Sequence, residues 1–94
     1  MKTGIERIAI ERAEQIDKHG RTIGKDLAHN GKFQLALAAS WLVAPDIFEG
    51  DAFDRCPDEW DENLWNKMCS KGYHERLIIA GALIAAEIDR LQNS

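Results

Sequence analysis

The chain has 94 residues, which is enough for one small domain with a thin hydrophobic core. Hydrophobic residues make up 45% of it and charged residues of both signs 30%, a balance that argues against wholesale disorder. The formal net charge of −4 at pH 7 argues against a protein that binds nucleic-acid duplexes, because such a protein needs a dense cationic surface, but it leaves room for a local basic pocket.

The first predicted helix covers residues 4–18. Ile5, Ile8, Ala9, Arg12 and Ile16 fall on one face at helical spacing, and charged residues fill the opposite face. The pattern therefore predicts an amphipathic helix. It ends before a glycine that suits the left-handed position after a helix.

The middle of the chain predicts two more helices and two connections. Residues 20–31 contain three glycines in a polar setting and are typical of a loop. Residues 32–44 form the second helix, which is apolar nearly all round and so is expected to lie between other helices. Residues 45–57 are an acidic connection, too long to be without a role in a compact domain. Residues 58–70 form the third helix.

Residues 74–92 predict the fourth helix. Leu77, Gly81, Ile84, Ile88 and Leu91 follow one another at spacings of four, three, four and three, which is a heptad-like seam. This seam exceeds what one short domain can cover, so we predict a dimer or higher homo-oligomer with this helix at or beside the interface. The fold expected for residues 1–94 is all-α, a single domain forming a small antiparallel helical bundle of three to four helices.

Several sequence features indicate in which compartment the protein is expected and whether it binds a membrane or a metal. The N-terminus is charged where a signal peptide needs an apolar run, and the longest apolar stretch, residues 77–86, is about half of a membrane span. Cys56 and Cys69 form no CxxC pair and lie far from the three histidines, which disfavours a zinc site. We therefore expect a cytoplasmic protein with reduced thiols, no membrane partner and no structural metal.

Three segments together resemble a family of short, uncharacterised, all-helical phage and prophage proteins. They are ERAEQI, with Glu11, Arg12 and Gln15 as an ER-x-x-Q start, the Leu-Ala-rich NGKFQLALAA, and AGALIAAEIDRL in the last helix. The chain departs from the family pattern at Arg21, where the family has tryptophan, and at Lys32, where it has an acid. The resemblance implies a phage origin, in the cytoplasm of an infected bacterial host, and a more anionic ligand if these positions line a pocket.

A candidate ligand site lies where the first helix meets the glycine-containing loop. Guanidinium, carboxamide and imidazole groups there can hold a phosphate and a base edge, and glycines let backbone N–H groups approach an anion. Tryptophans of the third helix can stack on a nucleobase. The predicted ligand-binding residues are Arg12, Gln15, His19, Arg21, Thr22, Lys25, Trp60 and Trp65. The alternatives are a solvated helix face, an ordinary surface loop, and tryptophans that serve core packing; for Trp41 we favour the core.

The sequence offers little for catalysis. No activated nucleophile is evident, and the second helix contains no acid, although MazG-type nucleotide pyrophosphohydrolases bind magnesium through carboxylates on facing helices. We therefore predict no catalytic residue, no metal ligand and no cofactor. The leading hypothesis is a counter-defence protein that sequesters a nucleotide-derived immune signal, such as a cyclic oligonucleotide or an ADP-ribose derivative. The alternatives are a Mg²⁺-dependent MazG-like pyrophosphohydrolase and an inhibitor that acts by protein–protein contact.

Overall fold

The computed structural model describes residues 1–19, 25, 28, 30–44 and 55–93. This part of the chain contains four α-helices, which are α1 (Gly4–His19), α2 (Gln34–Leu42), α3 (Glu62–Cys69) and α4 (Tyr73–Gln92). The all-α fold predicted from the sequence is confirmed. Among the described residues, no helix is both long and apolar enough to cross a membrane.

Helix α1 begins with a reciprocal pair of hydrogen bonds between Thr3 and Glu6. The Thr3 backbone N–H donates to Glu6 Oε1 at 3.1 Å, and the Glu6 backbone N–H donates to Thr3 Oγ1 at 3.2 Å. This capping box satisfies N–H groups that the first helical turn leaves without partners. The bond from the Thr3 backbone, and after it the bond with the Thr3 side chain, lowers the pKa of Glu6 below its ordinary value.

Helices α2 and α3 both begin later than the sequence predicted. Phe33 adopts a left-handed conformation, with φ of 64°, so α2 begins at Gln34 and not at residue 32. Glu59 also has a positive φ, of 69°, which is incompatible with a helix that starts at residue 58. Asp61 instead caps α3, because its Oδ1 accepts a hydrogen bond from the Leu64 backbone N–H at 3.0 Å.

Helix α4 is the centre of the fold, since it contacts each of the other three helices. Its alanines allow close approach of α2, and α3 contributes a buried tryptophan. The buried cluster consists of Leu35, Ala38, Ala39 and Leu42 from α2, Trp65, Met68 and Cys69 from α3, and Ile79, Ala80, Leu83 and Ala86 from α4. Helix α1 packs on another side of α4, and none of its residues belongs to this cluster.

Helices α1 and α4 run parallel to each other. Ile8 lies beside Gly81, and Arg12 reaches Asp89 further along both helices, so residue numbers rise together in the two helices. The antiparallel arrangement predicted from the sequence is therefore wrong for this pair. Antiparallel neighbours are expected where a short loop joins two helices, whereas α2 and α3 both intervene between α1 and α4.

The outward side of α4 is apolar over residues 77–91, and two charged residues of this stretch, Glu87 and Arg90, are turned inward. Between residues 77 and 91, the exposed residues are Leu77, Ile84, Ile88 and Leu91, with 39–55% of their surface accessible. Glu87 and Arg90 are buried in the same helix. This distribution inverts the usual pattern of a surface helix, in which the charges face water.

Helix α1 has the same inverted character. Ile5 is 83% exposed, and Ile10 and Ile16 are also exposed, whereas Gln15 is fully buried and Arg12 nearly so. Ile5 and Ile16, which the helical pattern placed on the buried face of α1, are thus exposed, and the most deeply buried residue of α1 is Gln15. Instead, α1 directs polar side chains into the molecule.

Candidate functional site

Arg12 and Gln15, two of the predicted ligand groups, are buried inside the molecule, and Arg12 reaches α4. Arg12 Nη2 is 3.4 Å from Asp89 Oδ2 of α4 and forms an ion pair with it. Gln15 Nε2 donates a hydrogen bond to Glu11 Oε2, one helical turn earlier, at 3.2 Å. Because Arg12 and Gln15 are buried, the alternative of a solvated helix face is wrong for these two residues.

The carboxamide oxygen of Gln15 receives no hydrogen bond from the described part of the chain. Oε1 is buried, and no described residue donates a hydrogen bond to it. The orientation of the amide follows from Glu11, whose carboxylate requires the Nε2 donor and would repel Oε1. A buried acceptor that lacks a hydrogen bond costs about 1–3 kcal/mol. Position 15 therefore offers an unused acceptor to any donor that reaches it.

The remainder of the site predicted at the end of α1 is largely beyond the described residues. His19 is the last residue of α1, but its side chain, together with Arg21 and Thr22, lies outside the described part of the structure. Lys25 is exposed. Convergence of these groups with Arg12 thus stays a prediction.

The two tryptophans predicted to stack on a ligand differ in their surroundings. Trp60 is half-buried, and its indole Nε1–H donates to Asn30 Oδ1 at 2.8 Å, which connects it to the end of the predicted loop 20–31. Trp65 is fully buried and meets Trp60 edge to face, with ring centroids 6.2 Å apart and planes at 75°. Trp65 has no exposed ring face, so its predicted role in ligand stacking is corrected to core packing.

A groove of about 390 Å³ opens where α2 begins beside the segment that precedes α3. Arg55 lies over the Trp41 ring, with its guanidinium carbon 4.8 Å from the ring centroid. Lys32 supplies a second positive charge, and Asp58 a negative one. The lining residues are Lys32, Gln34, Leu37, Trp41, Arg55, Cys56, Pro57 and Asp58.

Backbone and side-chain contacts fix the walls of this groove. The Lys32 backbone N–H donates to Oε1 of the buried Gln34 at 2.7 Å, which positions Lys32 just before α2. On the other wall, the Cys56 thiol lies 3.6 Å from the backbone oxygen of Trp60. Trp60 in turn donates a hydrogen bond to Asn30, two residues before Lys32 in the chain.

The sequence did not identify this groove as the site. Trp41 was assigned to the core, and Lys32 and Arg55 are too distant in the chain for helical spacing to relate them. One signal was present, because Arg55 is the only basic residue between positions 45 and 58, in a segment that is otherwise acidic. An isolated cation in such a segment is a candidate for a specific contact, and here it stacks on an aromatic ring.

Local contacts determine the chemistry of the Cys56 thiol and of the Glu87 carboxylate. Burial, and after it the charges of Glu62 and Asp61, raises the pKa of the Cys56 thiol, which disfavours the nucleophilic thiolate. Glu87 binds Arg90 through two hydrogen bonds of 2.6 and 3.1 Å. Within the described ranges, no three His, Cys, Asp or Glu side chains converge as ligands for a metal ion.

Comparisons with known proteins add no relative to this description. No family model matches the chain, and neither a curated protein nor a solved structure matches it.

Proposed function

We propose that this protein binds a small nucleotide-derived anion and sequesters it without cleaving it. The observation that carries the proposal is the groove in which Lys32 and Arg55 accompany the Trp41 ring. Its volume of about 390 Å³ falls within the range of small-molecule sites. In a protein with a net charge of −4, two cations that line one groove with an aromatic ring favour a ligand with both a phosphate and a planar base.

The groove has the chemistry to hold both parts of such a ligand. Phosphate oxygens accept charge-assisted hydrogen bonds from Lys32 and Arg55, and Arg55 can bind them in a bidentate manner. Contact with Trp41 already orients the guanidinium, so less side-chain entropy is lost on binding. Leu37 and Pro57 supply apolar surface for the sugar and base.

The residues predicted at the end of α1 form a second candidate site for the same class of ligand. Gln15 Oε1 favours it, because a buried acceptor that no described residue satisfies can receive the amino group of a nucleobase. Trp60 donates a hydrogen bond to Asn30, which belongs to the loop predicted to complete that site. His19, Arg21, Thr22 and Lys25 would supply its remaining polar groups.

The proposed biological role is counter-defence. A phage protein with a tight site would lower the free concentration of a nucleotide-derived immune signal in the cytoplasm of the infected host and keep its effector inactive by mass action. Cyclic oligonucleotides and ADP-ribose derivatives are the ligand classes we propose. The resemblance of the first, middle and last helical segments to phage and prophage proteins supports this role, and we propose that the protein acts as a homo-oligomer.

Two other functions make different experimental predictions. A Mg²⁺-dependent pyrophosphohydrolase would return a changed nucleotide and would lose turnover in EDTA. An inhibitor that acts through protein contact would retain no nucleotide. Incubation with a nucleotide panel, followed by denaturation and chromatography of the released ligand, separates these functions, and sequestration predicts intact ligand whose binding is unaffected by EDTA.

Calorimetry with any retained nucleotide tests which residues bind it. We expect Arg55→Ala and Lys32→Ala each to weaken binding by about tenfold, the equivalent of one charge-assisted hydrogen bond. Lys67→Ala is the matched control, because Lys67 is an exposed lysine on α3 that does not line the groove. Arg12→Ala and Arg21→Ala test the second candidate site. Unchanged affinity in all four variants would contradict both sites.

A further inference from the structure

We infer that the apolar side of the α1–α4 pair is the surface on which a second copy of this chain docks. We define this apolar face as Ile5, Ile8, Leu77, Ile84, Ile88 and Leu91. All six residues are aliphatic, and five of them are exposed, with Ile8 half-buried against Gly81. Large exposed apolar patches mark interaction surfaces in proteins.

The two helices present one continuous surface. Because α1 and α4 are parallel and Ile8 fills the space above Gly81, Ile8 bridges the line between the helices. Met1, Gly4 and Ile8 line a shared groove with Leu77 at the same end of the pair. Ile5 and Ile8 of α1 therefore extend the row formed by the exposed residues of α4.

The charge distribution favours a second copy as the occupant. From Leu77 to Leu91, every exposed residue of α4 is Leu or Ile, while Glu87 and Arg90 form their ion pair inside the molecule. Two copies that each carry a net charge of −4 meet here without opposing like charges. A cationic protein would require acidic side chains that this row does not contain.

The spacing and size of the face agree with this occupant. Leu77, Ile84, Ile88 and Leu91 keep the heptad-like spacing by which a helix packs against an identical helix, and a twofold interface uses the same surface on both copies. Helix α4 has 20 residues. Helix α1 has 16 residues, so the two helices side by side, about 24 and 30 Å long and about 10 Å wide each, project over roughly 540 Å². That projected area approaches the accessible area of about 800 Å² per partner in stable interfaces.

The resulting assembly has four helices at its interface, two from each copy. Each copy encloses its own buried polar residues, and the aliphatic residues become the core between the copies. The fold of one chain is thereby completed by the other, which explains why α1 and α4 expose isoleucine and leucine while they bury arginine and glutamate.

Sedimentation at micromolar concentration tests this inference with Ile84→Lys and Ile88→Lys. The parent is expected to be a dimer or a higher closed oligomer, and each variant is expected to raise the dissociation constant by at least about a hundredfold, because a lysine would be buried without a partner. Ile10→Lys is the matched control. Ile10 is an exposed isoleucine of α1, but it lines a different groove, with Glu14 and Glu75, and its variant should remain associated.

Circular dichroism confirms that each variant is helical, and dilution of the parent should lower its melting temperature, since dissociation and unfolding are linked. A monomeric parent at micromolar concentration overturns the inference, and so does an oligomer that survives both substitutions. A monomeric parent that binds lipid vesicles would assign the face to a membrane surface instead. Ligand binding by the groove is measured separately, so its loss or retention in a monomeric variant does not decide this test.

Discussion

Ile8 of α1 occupies the space into which a side chain at position 81 of α4 would project. A Cβ atom placed on Gly81 would lie 2.6 Å from Ile8 Cδ1 and 2.8 Å from Ile8 Cγ1, both shorter than real contacts allow. The sequence had assigned Gly81 to the oligomer seam. In the structure, Gly81 allows α1 and α4 of the same chain to approach each other closely.

We expect Ile8 to determine the effect of an alanine at position 81. In a helix interior, Gly→Ala adds about 1 kcal/mol of stability through propensity alone. In the parent, displacement of Ile8 should offset most of this gain, whereas in an Ile8→Ala background the full gain should appear. Urea denaturation of the four proteins in this cycle measures the coupling. Equal effects of Gly81→Ala in both backgrounds would show that Ile8 does not fill this space.

The bulkier Gly81→Leu variant should destabilise the fold by about 1–3 kcal/mol through overpacking, and Ile8→Ala should recover part of this loss. Thermal unfolding at several protein concentrations distinguishes this effect from a change in association. If the variant keeps the parent's stability and only dissociates, then Gly81 acts at the interface between copies and not within one chain.

Removal of only one partner of the Glu87–Arg90 ion pair should lower the free energy of unfolding substantially. Both side chains are only 10% exposed and are joined by two hydrogen bonds. Glu87→Ala leaves a buried guanidinium without this carboxylate and should cost about 3 kcal/mol of unfolding free energy. The double variant Glu87→Leu/Arg90→Leu removes both charges and should cost less than Glu87→Ala alone. Chemical denaturation provides the comparison, and a smaller loss in the single variant would contradict it.

Asp61 should contribute to stability as the N-cap of α3. Its Oδ1 accepts a hydrogen bond from the Leu64 backbone, so Asp61→Ala is expected to lower the unfolding free energy by about 1 kcal/mol. Asp61→Asn is the control, because asparagine retains the acceptor and caps helices as well as aspartate does. Equal losses in the two variants would assign the effect to charge and not to capping.

The reactivity of Cys56 should reflect its raised pKa. Burial and the charges of Glu62 and Asp61 disfavour the thiolate, so alkylation by iodoacetamide should reach half of its maximal rate above the pH expected for an ordinary cysteine. Glu62→Gln removes one of these charges and should shift the profile to lower pH. Mass spectrometry of the peptide that contains Cys56 separates it from the buried Cys69. A profile that does not move in Glu62→Gln would remove Glu62 as a cause.

The sequence was sufficient to predict the all-α class because helical periodicity is a local property. The starts of α2 and α3 were predicted too early because each depends on the backbone conformation of a single residue, Phe33 or Glu59. Both residues have a positive φ, which is uncommon for phenylalanine and glutamate and which the sequence pattern does not reveal. The direction of α1 relative to α4 depends on the path of the chain between them, which periodicity does not describe.

The candidate site was harder to predict than the fold. The groove combines Lys32, Trp41 and Arg55, which come from three different segments, and only packing brings them together. Sequence reasoning grouped Arg12 and Gln15 with the loop because they are close in the chain. It could not show that both side chains turn toward the interior, since an arginine and a glutamine on a helix are ordinarily exposed.

The parallel pairing of α1 with α4 imposes an order on folding during synthesis. Arg12 and Asp89 are 77 residues apart in the chain, so α1 leaves the ribosome long before the helix that packs against it exists. Until then, Ile8 lacks the glycine of α4 against which it packs and remains open to chaperones and to other nascent chains. Closing such a long loop is entropically slow, which makes the docking of α1 a late event. A ribosome stalled before α4 would therefore hold α1 without the helix that supplies Gly81 and Asp89.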